Sequence, residues 1–432
     1  MQLTNVSRRE FMKQVAAGSA GILMLEPFLR IRESFAAALA SVPRRPESAS
    51  DFVQLREQYS LAPDVIYFNH GSIGTIPKPV QKAHEQYLRV CESNPWLHMW
   101  GGEWEAPREK VRSKAAAVLH CQPDEVAITH NTTEAFNLLA QGLPIGAGDE
   151  VLFSSINHPG ASICWFHHSQ KLGYTVRQFD FPVARAAELT EDELLDLYDR
   201  QISPRTRVLV FPYLDNMIGV RHPIHRLARL AKARGVRYVA VDAAQIVGML
   251  PVSVGDSAVD VLATSPHKWL QAPKGLGLLY VRKAVQPDIH PMWVTWGQNR
   301  WKGTARIFED YGTRNMPELL ALGDAIAFNL RIAAEKREAR LRHLWQFFRQ
   351  RVTAHPKLEW RSPQHWPISA SLYAVEVKGH KSTDVARLLF EKEGFVMRPF
   401  ATKELNTLRI TPNVFSTEEE MERFFVAIER YF

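Results

Sequence analysis

Between Tyr67 and about Val281 the chain alternates short apolar, β-branched runs with stretches whose apolar residues recur at helical spacing. EVAIT, EVLFSS, YTVRQF, RVLVFPY, VRYVAV, AVDVLAT and LGLLYV have the length and composition of buried strands, and intervening segments such as IHRLARLAKARG carry one apolar stripe each. Strands alternating with helices predict βαβ units, hence a mainly parallel sheet covered by helices. Farther on, Leu341, Leu344, Trp345, Phe348 and Val352 form the apolar stripe of a long helix. Arg331, Lys336, Arg337, Arg340 and Arg342 are expected on its solvated face. The tail reads as strand (SLYAVEV), helix (TDVARLLFEKE), strand (FVMRPF), strand (TLRIT) and a last helix opened by a capping box of Thr417 and Glu420. The pattern predicts an α/β protein. A large domain over residues 67–310 has a mainly parallel sheet between helices; residues 311–432 supply a linker helix and a small α+β C-terminal domain, with 41–66 packed alongside it.

Residues 1–40 are of another kind. Ser7, Arg8, Arg9, Phe11 and Lys13 stand in SRREFMK, before the apolar VAAGSAGILML, which is too short to cross a bilayer and ends at Glu26 and Pro27. The stretch resembles a twin-arginine signal peptide, with a candidate cleavage site near Ala40 in AAALAS. That resemblance implies the twin-arginine export machinery as a partner, a passenger that folds before transport, and a periplasmic or otherwise exported location. An amphipathic N-terminal helix with two incidental arginines is the simpler alternative.

Composition narrows the field. With 432 residues, 46% of them apolar, the chain can build a large core. The net charge of +7 comes from basic residues dispersed along the sequence, without a basic block interleaved with stacking aromatics, which argues against nucleic acid as a partner. Cys91, Cys121 and Cys164 are odd in number and lack CxxC spacing, so neither a disulfide framework nor a cysteine-rich zinc site is indicated. Cys164, His167 and His168, near His158, could be imagined around a catalytic metal, but no carboxylate stands at ligand spacing.

The chemistry concentrates near two residues. Asp242 closes the strand run VRYVAVD, and Lys268 follows 26 residues later in TSPHKW. A lysine amine can condense with the aldehyde of pyridoxal phosphate, and a carboxylate facing the pyridine nitrogen keeps that nitrogen protonated. Singly, the aspartate reads as a core polar group and the lysine as a surface residue; in this order and at this separation they read as a cofactor site. Asn131, Thr132 and Thr133 fall between a strand and a helix, where free amides and the helix dipole favour an anion, although simple N-capping uses the same residues. Ser265 and His267 precede the lysine and offer further donors. Gly275 and Gly277 read as a turn entering LGLLYV.

On these residues, and over a span from YFNHGSIGT to LRITPNVFSTEEE, the chain resembles the class V aminotransferase-type enzymes of fold type I, closest in flavour to the isopenicillin N epimerase-like group. The resemblance implies pyridoxal 5'-phosphate as cofactor, with Asp242 on the pyridine nitrogen, Gln245 on the phenolic oxygen and His158 stacked on the ring. It implies Thr132, Thr133, Ser265, His267 and Lys268 around the phosphate and aldehyde. Gly312 and Thr313 would reach the phosphate of a neighbouring subunit, so a homodimer is expected. Arg409 matches the arginine that grips the substrate carboxylate, a task suited to a planar guanidinium. Asn216, Asn69, His70 and Arg314 are expected beside the same amino-acid substrate.

Lys268, His158 and Asp242 would then serve α-proton removal, after which the family divides into epimerisation, transamination and β-elimination. Cysteine desulfurases of the family carry a nucleophilic cysteine shortly before the carboxylate-binding arginine, and here no cysteine follows Cys164. An epimerase- or aminotransferase-type reaction is expected, with a carbon–sulfur lyase as the alternative and an exported non-catalytic binding protein as a remote one.

Overall fold

A computed structural model describes residues 29–37, 40, 49–402 and 404–432; the twin-arginine motif lies outside the described residues. In chain order the strands are β1 (Ile66–Tyr67), β2 (Val126–Thr129), β3 (Glu150–Ser154), β4 (Thr175–Phe179), β5 (Thr206–Pro212), β6 (Tyr238–Asp242), β7 (Val261–Thr264) and β8 (Gly277–Val281), then β9 (Leu358–Trp360), β10 (Tyr373–Val377), β11 (Phe395–Val396), β12 (Arg398–Ala401) and β13 (Asn406–Ile410). The helices that matter for the site are α1 (Thr132–Gly142), α2 (Pro159–Leu172), α3 (Met316–Asn329), α4 (Ala334–Ala354) and α5 (Glu418–Tyr431).

All seven strand runs expected in the large domain form one sheet, ordered β2-β8-β7-β6-β5-β3-β4. From β7 to β4 neighbours are parallel, whereas β8 runs antiparallel to both β7 and β2. Val239, Val241, Leu262 and Leu278 enter one apolar cluster and Val208, Val210, Ala263 and Leu279 another, so both faces of the sheet are covered. Continuous apolar runs are what such two-sided burial requires.

The C-terminal sheet is antiparallel, ordered β12-β13-β10-β9. FVMRPF, expected as one strand, is divided: Phe395 and Val396 pair in parallel with Ile66 and Tyr67, while Arg398–Ala401 joins the C-terminal sheet. The N-terminal segment meets this region through the Arg56–Glu420 ion pair at 2.6 Å and the Tyr59 and Phe415 rings, whose centroids are 4.3 Å apart. The capping box of Thr417 and Glu420 opens α5.

The apolar stripe of α4 is buried from Leu341 to Val352, but two of its arginines are not on a solvated face. Arg337 donates to the carbonyls of Asn329 and Ile332, closing the end of α3, and Arg340 grips Glu418 at 2.5 Å and the carbonyls of Val414 and Ser416. Helical periodicity shows which side of α4 is apolar; it is silent on distant carbonyls that require a donor.

Candidate active site

Open α/β sheets gather ligands beyond the carboxyl ends of their strands. Here β3 leads to His158, β5 to Asn216, β6 ends on Asp242, and β7 leads to Lys268. His158, Asn216, Asp242, Gln245 and Lys268 all line one cavity. Asp242 is nearly inaccessible, and its Oδ1 accepts from the Ala244 amide at 3.0 Å. Gln245 is fixed by two bonds, its Nε2 donating to the Gly71 carbonyl at 2.8 Å and its Oε1 accepting from the Trp269 indole at 3.1 Å.

Burial pushes the Lys268 amine down to about 8, against the charge of Asp242, which favours the ammonium; the positive charge of Arg409 adds to the lowering. An amine of that strength is available as a nucleophile and base near neutrality, unlike an ordinary lysine. Burial, and then the charges of Lys268 and Arg409, also hold His158 below its usual range against the opposing effect of Asp242. Gly160 lies beside that histidine because a Cβ there would stand 2.5 Å from Thr133 Oγ1 and 3.1 Å from His158 Nδ1. Its amide donates to Nδ1 at 3.0 Å, which fixes the ring as the N-cap of α2.

Of the residues expected to hold the phosphate, Thr132 and Ser265 meet at the start of α1. Asn131 caps the helix by accepting from the Glu134 amide at 2.9 Å, leaving Thr132 to meet Ser265, whose Oγ lies 2.8 Å from Thr132 Oγ1 and 3.2 Å from the Thr132 amide. His267 Nδ1 is buried without a hydrogen-bond partner among the described residues, and burial lowers this ring to about 4. On the backbone side, Gly74 donates to the His267 carbonyl at 2.7 Å; a Cβ at Gly74 would fall 2.0 Å from the Lys268 carbonyl oxygen.

Arg409 crosses from the small domain. Its guanidinium donates to the Asn216 carbonyl at 2.9 Å, to Asn69 Oδ1 at 2.9 Å and to Ser72 Oγ, while Nε is buried and unpartnered. Among the described residues no carboxylate lies within ion-pair distance of it. A buried cation in that state is costly unless an anion arrives. The glycine between His70 and Ser72 permits this approach, since a Cβ on Gly71 would stand 3.2 Å from Arg409 Cζ and 3.3 Å from Gln245 Oε1.

Not every expected residue joins this group. His70, expected beside the substrate, is fully buried instead: its ring packs against Tyr67, Trp269 and Phe415, and Nδ1 meets the Thr411 carbonyl at 3.2 Å. Gly312, Thr313 and Arg314 line a separate groove with Trp100, Trp296 and Trp301, and Arg314 donates to the Ile128 carbonyl at 3.0 Å. Cys164 is buried with its thiol toward the Phe136 carbonyl, and among the described residues no three His, Cys, Asp or Glu side chains could share a metal. Sequence reasoning missed Ser72, Trp269 and Gly74. Ser72 was within reach, because it stands in the same FNHGS motif as Asn69.

A buried amine of lowered basicity, a carboxylate in the same cavity, an orphaned imidazole nitrogen beside a helix N-terminus and a waiting guanidinium fit pyridoxal phosphate and an amino acid. Fold and site together define a pyridoxal-phosphate enzyme of fold type I. The chain belongs to the aminotransferase class-V family, whose sequence signature matches residues 66–400, and pyridoxal 5'-phosphate is its cofactor. It is 29% identical over 399 residues to an isopenicillin N epimerase from Amycolatopsis lactamdurans, covering 88% of this chain and 98% of the relative. It is 28% identical over 291 residues to a cysteine desulfurase from Dictyoglomus turgidum, covering 66% and 69%. Its fold is similar to that of a cystine C–S lyase solved with its product cysteine persulfide, with a TM-score of 0.75 at 21% identity over 84% of this chain and 96% of the other.

Proposed function

We propose that the protein acts at the α-carbon of an amino acid, as an epimerase- or aminotransferase-type enzyme. The observation that carries this reading is the Lys268 amine, weakened to about 8, in one cavity with Asp242. When bound, pyridoxal phosphate supplies an electron-poor ring that accepts the electron pair released as the α-C–H bond breaks. Asp242 would face the pyridine nitrogen and His158 would lie over the ring, since both line the cavity that holds Lys268. Thr132, Thr133, Ser265 and His267 would hold the phosphate, the first two at the N-terminus of α1. Arg409 receives the α-carboxylate through its paired donors, so orientation of the α-carbon is fixed from the small domain while Lys268 takes the proton from the large one.

Holoenzyme incubated in deuterium oxide with a panel of L- and D-amino acids tests this. Deuterium at the α-carbon of at least one of them, lost in Lys268→Ala, is the expected result; no incorporation across the panel contradicts it. Racemic product marks epimerisation and keto acid marks transamination.

A second reading, β-elimination from an amino acid with a sulfur leaving group, is supported by the likeness to cysteine desulfurases. With no cysteine after Cys164, sulfur would leave to solution rather than to a thiol near Arg409. Pyruvate release from cystine distinguishes it. The groove holding Gly312 and Thr313 supports a homodimer in which these residues approach the partner's phosphate site, and the SRREFMK motif supports twin-arginine export; gel filtration and cell fractionation test each.

A further inference from the structure

Arg409 does not stand alone. In the antiparallel ladder of β12 and β13 its direct partner is Arg398. Side chains directly opposite in such a ladder project from the same face, and like charges there repel. The two guanidiniums flank a single ring: each Cζ lies 5.8 Å from the centroid of Phe400. They differ in surroundings. Arg409 is buried and tied down by Asn69, Ser72 and Asn216, whereas Arg398 is exposed and, among the described residues, makes no ion pair or side-chain hydrogen bond. The charge of Arg398 is felt inside the catalytic cavity, where it helps lower His158, and it also lowers Arg409. β12 is an edge strand of the small-domain sheet, so Arg398 stands at the rim and Arg409 at the floor of the same approach.

A repulsive pair beside a catalytic cavity, with no carboxylate within ion-pair distance of either member among the described residues and only the more distant, buried Asp215 opposing the charge of Arg409, is an arrangement that anions stabilise twice. We infer that the substrate carries two carboxylates, the α-carboxylate on Arg409 and a side-chain carboxylate on Arg398, with the aliphatic chain between them crossing the face of Phe400. This rests on the reading of Arg409 as the α-carboxylate site and specifies the side chain that accompanies it. A guanidinium fork pairs bidentately with a carboxylate, and a flexible cationic residue at the rim can follow side chains of different length.

The test is calorimetric titration of the holoenzyme with unreactive acids of matched length, glutarate against pentanoate and adipate against hexanoate, repeated on Arg398→Gln and Arg398→Lys. Wild type is expected to bind each diacid at least about tenfold more tightly than its monoacid, a margin of one charge-assisted pair. In Arg398→Gln the ratio falls to within about twofold of unity, and Arg398→Lys retains part of it. Equal binding of diacid and monoacid by wild type, or an unchanged ratio in Arg398→Gln, overturns the inference. Because these acids do not react, the outcome is separable from the proposed reaction: α-deuterium exchange without a diacid preference removes this inference alone, and a diacid preference without exchange removes the reaction alone.

Discussion

Arg409 Nη2 lies 2.9 Å from Asn69 Oδ1, a bond that closes 340 residues of chain and joins the last strand of the small sheet to the first loop of the large domain. The direction of the Arg409 guanidinium, proposed to receive the α-carboxylate, is therefore set partly by a neutral side chain far away in sequence. In Asn69→Ala the guanidinium keeps Ser72 and the Asn216 carbonyl but loses one fixed direction. KM for the amino acid should rise about tenfold, with kcat changed less, as expected for one hydrogen bond to a charged group. Steady-state kinetics on the substrate found in the exchange assay provide the check.

The pH behaviour of Lys268 has a definite sign. Burial lowers its amine from 10.5 to about 8, so in the folded apoprotein the reactive free amine appears above about pH 8. Between about 8 and 10.5 the unfolded chain holds a proton there that the folded chain has lost, so this residue makes apoprotein stability rise with pH across that window. The rate of cofactor loading into apoprotein should climb with a midpoint near 8, and Lys268→Met should abolish the corresponding stability slope. Stopped-flow absorbance and urea titrations at a series of pH values measure the two.

Gly74 is required by contact rather than by backbone angle. A methyl group there would stand 2.0 Å from the Lys268 carbonyl oxygen and 2.9 Å from that of His267. Gly74→Ala must push the lysine loop away from β7, and cofactor affinity should fall by at least about tenfold because a displacement near 1 Å at a reacting group is expensive. Equilibrium dialysis against pyridoxal phosphate gives the value; affinity equal to wild type would show that the loop yields freely.

Away from the site, Arg112 and Glu309 form a buried bidentate pair with both contacts at 2.7 Å, and the Ile128 amide donates to the same carboxylate at 2.6 Å. Arg112→Ala leaves the buried Glu309 carboxylate only its longer ion-pair contacts to Arg306 and Arg314, at 3.9 and 3.8 Å, and should cost about 3 kcal/mol in chemical denaturation. The guanidinium holds the Glu309 carboxyl below its ordinary value despite burial, so the pair's contribution is present above about pH 4.5 and is lost as pH falls through the lower folded value. Arg112→Ala should therefore show a weaker acid-side loss of stability than wild type.

The large sheet was legible because strands such as VRYVAVD and AVDVLAT are buried on both faces and need unbroken apolar runs. Asp242 and Lys268 were legible for a related reason: one ends a strand and the other follows one, at the edge where ligands gather. The division of FVMRPF was not, since the pairing of Phe395 with Ile66 is set by a segment more than three hundred residues earlier. Arg337 and Arg340 were misread because the carbonyls and Glu418 that receive them lie outside their own helix. The inward turn of His70 was not legible either: Asn69 and Ser72 on either side reach Arg409 while its own ring packs among Tyr67, Trp269 and Phe415.

The link between Lys268 and the cofactor is tested most directly by borohydride reduction of the holoprotein followed by peptide mass mapping. The peptide containing TSPHKW should carry the reduced pyridoxyl mass on Lys268, with loss of the long-wavelength absorption band. A pyridoxyl group found on another lysine, or none on any, would contradict the account.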